Sequence, residues 1–190
     1  QGWNSDFAEC CGDLVGDEMD RFGVHLWLAP ALNIHRDIRC GRNFEYFSED
    51  PLLSGKFAAA ITRGVQKHPG CATTIKHFAA NNQETNRYSS NSQVSERAMR
   101  EVYLRGFEIA VKESQPHALM TSYNLLNGGH TSERRDLLED ILRAEFGYRG
   151  IVMTDWIIAM MTGKGNKYPA PNAARIAAAG NDLTMPGGQG

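Results

Sequence analysis

Ile151-Val152-Met153-Thr154-Asp155-Trp156 is the stretch on which the reading of this chain turns. The apolar run follows the turn-forming Gly147-Tyr148-Arg149-Gly150 and has the length of a buried parallel strand, with a carboxylate and an indole standing where it ends. The same arrangement recurs twice upstream. Ala72-Thr73-Thr74-Ile75-Lys76-His77-Phe78 closes on Lys76 and His77, and Ala118-Leu119-Met120-Thr121-Ser122-Tyr123 leads into Tyr123 and Asn124. In an α/β barrel the residues at the C-terminal strand ends carry the chemistry, so reactive side chains gathered there point to that architecture.

Around these runs the sequence alternates between helical and strand patterns. Asn4 to Arg21 spaces Phe7, Cys11, Leu14, Val15 and Met19 as a helix that Gly23 stops. His25 to Ala29 is a strand ended by Pro30, and a polar loop runs from Asn33 to Pro51. Helices are expected through Phe57, Ile61 and Val65, over Val94 to Lys112, over Leu137 to Phe146 and over Ala173 to Ala179, with a fifth strand at Asp182 to Met185. About five strands and five helices describe an α/β protein with a parallel sheet, open or closed into a barrel; periodicity does not choose, and the strand-end residues favour the barrel. A complete eightfold barrel takes roughly 250 residues. Residues 1–190 are therefore expected to form a partial (β/α)8 barrel of the TIM type.

Composition narrows the partners. With 42% hydrophobic residues the 190-residue chain can bury one core. Twenty Lys and Arg against 22 Asp and Glu give a net charge of −2, which offers no basic field for nucleic acid or an anionic membrane surface. The longest apolar runs fall well short of the ~20 residues that span a bilayer. Cys10, Cys11, Cys40 and Cys71 include an adjacent pair and no C-x-x-C spacing, so neither a disulfide framework nor a metal site is expected, and no cofactor is called for. The start, Gln1-Gly2-Trp3-Asn4, shows no initiator Met and no signal peptide; it reads as internal to a longer polypeptide, and a cytoplasmic location is the favoured expectation.

The candidate site residues each have a structural reading beside the functional one. Asp155 at a strand end is either a helix cap or a carboxylate held rigidly at the rim of a core. Trp156 beside it is either rim packing or an aromatic face for the apolar side of a sugar ring. Lys76 and His77 are consecutive, so both serve one ligand only where the strand begins to turn; together they can hold vicinal hydroxyls. Arg42, in Gly41-Arg42-Asn43-Phe44-Glu45-Tyr46-Phe47, and Arg87, in Asn81-Asn82-Gln83-Glu84-Thr85-Asn86-Arg87, either order their loops through Glu45, Glu49 or Glu84 or contact substrate. Tyr123 offers a phenol or simple packing.

Leu28-Ala29-Pro30 with Asn33 and Arg36-Asp37, the Gly41 to Pro51 loop, Lys76-His77-Phe78, Asn81 to Glu84 with Arg87, Ser95-Glu96-Arg97, Met120 to Asn124 and Val152 to Trp156, in this order, resemble glycoside hydrolase family 3. The resemblance implies a retaining, exo-acting β-glycosidase, β-glucosidase first. In it Asp155 is the nucleophile, Arg42, Lys76, His77, Arg87 and Tyr123 line the subsite of the non-reducing-end sugar, and Trp156 borders it. The Asn81-Asn82-Gln83-Glu84 continuation is similar to the β-glucosidase branch rather than the N-acetylglucosaminidase branch. Ile38 and Cys40 depart from common family residues. The resemblance also implies an early barrel segment upstream and a companion α/β sandwich domain outside this chain that supplies the acid/base.

A retaining mechanism needs two carboxyl groups roughly 5–5.5 Å apart. Asp155 is one; Lys76 and Arg87 are expected to favour its ionised form. Glu45, Glu49 and Glu84 are the in-chain alternatives for the acid. Two other functions fit the residues: a Schiff-base lyase using Lys76, and a sugar-binding fragment without catalysis.

Overall fold

Asn4 opens the first helix, α1 (Ser5–Phe22), by accepting hydrogen bonds on its side-chain oxygen from the amides of Asp6 and Phe7 at 2.9 and 3.1 Å. Those amides have no partner inside the first helical turn. Gly23 ends the helix in the left-handed region, φ 65°. The computed structural model describes residues 2–158, 160, 165 and 167–187. After α1 come β1 (Leu26–Trp27), α2 (Pro51–Val65), β2 (Ala72–Phe78) and β3 (Asn91–Ser92). A long helical stretch follows as α3 (Glu96–Ala98), a π-helical segment π1 (Met99–Tyr103) and α4 (Arg105–Ser114). The remainder is β4 (Ala118–Thr121), β5 (Leu125–Leu126), β6 (Gly129–His130), a 3-10 turn, a second π-helical segment π2 (Asp136–Glu145), β7 (Ile151–Met153) and α5 (Ala173–Ala178).

Strands β1, β2, β4 and β7 pair in that order, every pair parallel. Helical segments connect them, as parallel pairing requires. Alternation divides their side chains between two faces. Ile75, Leu119 and Val152 pack with Ala58, Leu104, Phe107, Leu138 and Leu142 of the helical layer, while Ala118, Met120 and Met153 gather with Met185, Leu26 and Leu28 on the other face. The first cluster is the main core; the second is the inner side of a barrel arc. The expected α/β architecture of a partial (β/α) barrel is present, and the arc is not closed among the described residues.

α1 and α2 approach closely because both carry glycine at the crossing. A Cβ on Gly12 would overlap the Ile61 carbonyl, and one on Gly64 would overlap the Glu9 carbonyl. Neither position has room for a side chain.

The structure departs from the expected elements in five places. The strand expected from His25 to Ala29 is regular only at Leu26–Trp27, because Pro30 has no amide to donate; its pairing continues irregularly, with Thr74 N–H donating to the Ala29 carbonyl and Leu32 N–H to that of Lys76. The helix expected over Val94 to Lys112 is divided by π1, and that over Leu137 to Phe146 is π-helical throughout; apolar spacing over two turns does not separate i→i+4 from i→i+5 bonding. The fifth strand is reduced to one parallel bridge between Met153 and Leu183. A small sheet of β3, β5 and β6 occupies the loops after β2 and β4, where no strand was expected.

Candidate active site

The C-terminal ends of β2, β4 and β7, together with the segment after β1, surround a pocket of about 450 Å³. It is lined by Leu28, Arg42, Phe44, Glu45, Lys76, His77, Arg87, Met120, Tyr123, Asp155 and Trp156. All seven residues singled out in the sequence meet there. A pairing irregularity between Lys76 and Phe78 lets consecutive Lys76 and His77 reach the same pocket.

Asp155 sits two residues past β7 and is 6% exposed. Its Oδ1 accepts the Trp156 amide at 2.7 Å, and its Oδ2 lies 3.9 Å from His77 Nε2. The Tyr123 hydroxyl donates to the Trp156 carbonyl at 2.7 Å, so the residue after Asp155 is held at both its N–H and its C=O. Trp156 itself is 46% exposed and, with the exposed Phe44, supplies aromatic surface around the pocket.

The two arginines are held by acids of their own loops. Arg42 Nε donates to Glu45 Oε1, and the other oxygen of Glu45 is 3.9 Å from Lys76 Nζ. Arg87 pairs with Glu84 at 2.9 Å and packs its guanidinium over the rings of Tyr88 and Tyr123, 4.9 and 5.0 Å from their centres. Those two tyrosines meet edge to face at 4.8 Å. Asn82 donates to the Ile34 carbonyl at 2.8 Å and ties the loop after β2 to the one after β1.

Burial governs the protonation equilibria. It raises the pKa of Asp155 above the ordinary carboxylate value of 3.8, against the opposing pull of the Trp156 amide, Arg42 and Arg87. The neighbouring cations favour the ionised form, as expected, while desolvation acts against them more strongly. Desolvation also lowers Lys76, opposed by Glu45, and holds His77 well below the usual imidazole value, with Arg42, Lys76 and Arg87 acting the same way. Burial, followed by the charge of Asp155, raises Tyr123. The pocket therefore offers a shielded carboxylate, a neutral imidazole, an ammonium, two guanidiniums and a phenol. That set suits a polyhydroxylated, uncharged ligand.

Sequence reasoning missed Leu28 and Met120 as lining residues, treated Phe44 only as loop composition, and read Glu45 as a loop partner of the arginines or an alternative for the acid. Leu28 and Met120 share the inner face of the arc, a placement that the strand pattern could have suggested. Glu49 is outside the pocket, and Glu84 stands behind Arg87 rather than in the lining. A larger hollow, about 740 Å³, lies at the opposite ends of β4 and β7 around Gln115, His117, Arg143 and Asp182. There Arg143 is neutralised by Asp182 at 2.7 Å, and that end of a barrel serves stability rather than chemistry. Among the described residues no three His, Cys, Asp or Glu side chains group to hold a metal, and no helix is long and apolar enough to cross a membrane.

Comparison with known proteins gives a consistent answer. The family described as Glycosyl hydrolase family 3 N terminal domain matches residues 1–189. Beta-glucosidase B of Emericella nidulans is 48% identical over 185 residues, which is 97% of this chain and 20% of that protein. Beta-glucosidase A of Butyrivibrio fibrisolvens is 49% identical over 183 residues, 96% of this chain and 21% of that one. The chain thus spans about a fifth of the length of these relatives. Among solved structures, β-glucosidase 3B of Thermotoga neapolitana in complex with glucose superimposes with a TM-score of 0.88 at 50% identity, over 97% of this chain and 24% of that one. The match covers both the sequence and the arc of strands that builds the pocket, and this chain belongs to glycosyl hydrolase family 3.

Proposed function

We propose that this chain is the barrel portion of a retaining, exo-acting β-glycosidase, a β-glucosidase first, that removes the non-reducing-end sugar through a covalent bond to Asp155. The observation that carries this reading is the convergence of a buried strand-end carboxylate with Arg42, Lys76, His77, Arg87, Tyr123 and Trp156 around one pocket. The names of the relatives support the sugar, and the glucose bound to the Thermotoga neapolitana protein supports a pocket of this kind.

In this reading Asp155 Oδ2 attacks the anomeric carbon, because Oδ1 is occupied by the Trp156 amide. The C–O bond to the leaving group breaks and its oxygen takes a proton from a general acid. Water then displaces the sugar from Oδ2, giving its proton to the same group, now a base. Lys76, His77, Arg42 and Arg87 hold the sugar hydroxyls, and Trp156 borders the ring. Glu45 is held by Arg42 and faces Lys76, so its carboxylate is engaged with the two cations of the sugar grip. The acid is assigned to a second, α/β sandwich domain outside residues 1–190. The family membership gives no support to a lyase role for Lys76.

The test is a 2-deoxy-2-fluoro-glucoside carrying a good leaving group, applied to the full-length enzyme and followed by peptide mass mapping. The label is expected on Asp155, with Asp155→Asn losing turnover by roughly 10⁴-fold, as for other catalytic-group knockouts. A label elsewhere, with normal trapping by Asp155→Asn, overturns the assignment.

A further inference from the structure

Asn33 is hydrogen-bonded to His77 through both ends of its side-chain amide. It is 3% exposed and lies two positions past Ala31, whose bridge to Lys76 sets the segment after β1 alongside the end of β2. Its Nδ2 donates to the His77 carbonyl at 2.9 Å, and its Oδ1 accepts the His77 amide at 2.9 Å. These two bonds settle which end of the Asn33 amide is which. Exchanging its oxygen and nitrogen would set N–H against N–H and carbonyl against carbonyl. The same Oδ1 lies 3.1 Å from His77 Nδ1. A carbonyl oxygen only accepts, so Nδ1 must carry the ring proton.

We infer that Asn33 is a positioning residue that fixes His77 as its Nδ1–H tautomer, so that Nε2 faces the pocket as a hydrogen-bond acceptor and selects a sugar hydroxyl that donates. Nε2 lies 3.9 Å from Asp155 Oδ2, beyond hydrogen-bond reach, on a ring that is almost wholly buried. The groups facing this ring agree with a neutral imidazole: Arg42 from the loop after β1, Lys76 beside it on β2 and Arg87 from the loop after β2 all oppose a further positive charge, while Asp155, two residues past β7, brings a carboxylate to 3.9 Å. Tyr46 adds a T-shaped ring contact at 6.5 Å and no formal charge. Arg42, Lys76 and Arg87, the cations proposed for the sugar, only donate, while Tyr123 spends its proton on the Trp156 carbonyl and keeps only its oxygen to accept with. His77 Nε2 is then the ring nitrogen that, among the groups proposed to hold the sugar, distinguishes a hydroxyl from a group that only accepts.

This inference rests on the sugar-subsite reading of His77, and the experiment separates the two. The full-length enzyme is assayed for competitive inhibition by glucose and by its 3-, 4- and 6-deoxy and deoxyfluoro analogues, with wild type, His77→Ala and Asn33→Asp. Fluorine can accept but not donate. At one position, deoxy and deoxyfluoro sugars are expected to be weakened equally, by about tenfold, with the penalty disappearing in His77→Ala. Asn33→Asp keeps the acceptor at Nδ1 but adds a charge that favours imidazolium. Its glucose affinity is expected to fall as pH drops through the raised His77 pKa, an acid limb at higher pH than in wild type. If no position depends on His77, the subsite reading fails and the inference with it. If one does but fluorine restores binding there, or if the Asn33→Asp and wild-type pH profiles coincide in folded protein, the subsite reading stands and the tautomer assignment is overturned. The wild-type and His77→Ala sugar comparison decides the tautomer even where a substitution at Asn33 unfolds the protein.

Discussion

Asp155 is a carboxylate placed where its charge is disfavoured. Its folded-state pKa is raised above the ordinary value, so protonation stabilises the native state; that contribution is present below the unfolded pKa and lost as pH rises through the folded one. Asp155→Asn keeps an oxygen for the Trp156 amide and carries no charge. It is expected to raise the melting temperature at neutral pH by roughly 2–4 °C, the response of a domain this size to about 1 kcal/mol, while abolishing turnover. Scanning calorimetry across pH checks this, and the advantage of the variant is expected to shrink as pH falls toward the carboxylate range. Glu45 acts differently, since one carboxylate serves both Arg42 and Lys76. Glu45→Gln is expected to raise KM by about tenfold with a smaller change in kcat, because the two cations lose their shared anchor before the substrate reaches its transition state. Steady-state kinetics on an aryl β-glucoside measures both.

At the scale of elements, α1 is tied to α2 by the ion pair of Glu9 with Arg63 at 3.0 Å, to the turn just past α2 by that of Glu9 with Lys67 at 3.0 Å, and to α2 again by the close approach at Gly12 and Gly64. Gly64→Ala places a methyl against the Glu9 backbone and is expected to cost about 1–3 kcal/mol, read from the urea midpoint at unchanged slope. Elements with strong local chemistry were the legible ones. Asn4 and Gly23 bracket α1, Asp50 and Pro51 open α2, and the apolar run of β2 matches its observed bounds. What the sequence concealed is decided by distant partners. The small sheet forms because Ser90 and Ser92 carbonyls meet the amides of Leu125 and Asn127, pairings that leave no periodic trace. The site was legible at strand ends, where a Lys, a His, a Tyr and an Asp interrupt apolar runs. Asn33 was not legible as a partner of His77, because its role is defined by a residue 44 positions away.

At the scale of the molecule, the pocket is assembled from the segments that follow β1, β2, β4 and β7, so no single segment of the chain contains it. In the proposed mechanism the arc presents a nucleophile and a sugar grip together, and the acid reaches the leaving group from another domain. In the full-length enzyme, replacing that acid is expected to slow hydrolysis of an alkyl β-glucoside by roughly 10²–10⁴, the usual worth of general acid catalysis, while a dinitrophenyl glucoside is spared in its first step. Burst kinetics with azide distinguish this from a fold defect: azide attacks the glycosyl-enzyme without needing a base and restores the second step. Unaltered alkyl glucoside turnover would remove that domain from the mechanism.

The amide of Trp156, bonded at 2.7 Å to only one oxygen of Asp155, makes the two oxygens chemically distinct before any sugar arrives. In a trapped glycosyl ester formed through Oδ2, the ester carbonyl is Oδ1, still polarised by that N–H. Its infrared stretch is then expected below that of an unbonded ester, and ¹³C labelling of the aspartate carboxyl would bring the same polarisation into view as a downfield resonance.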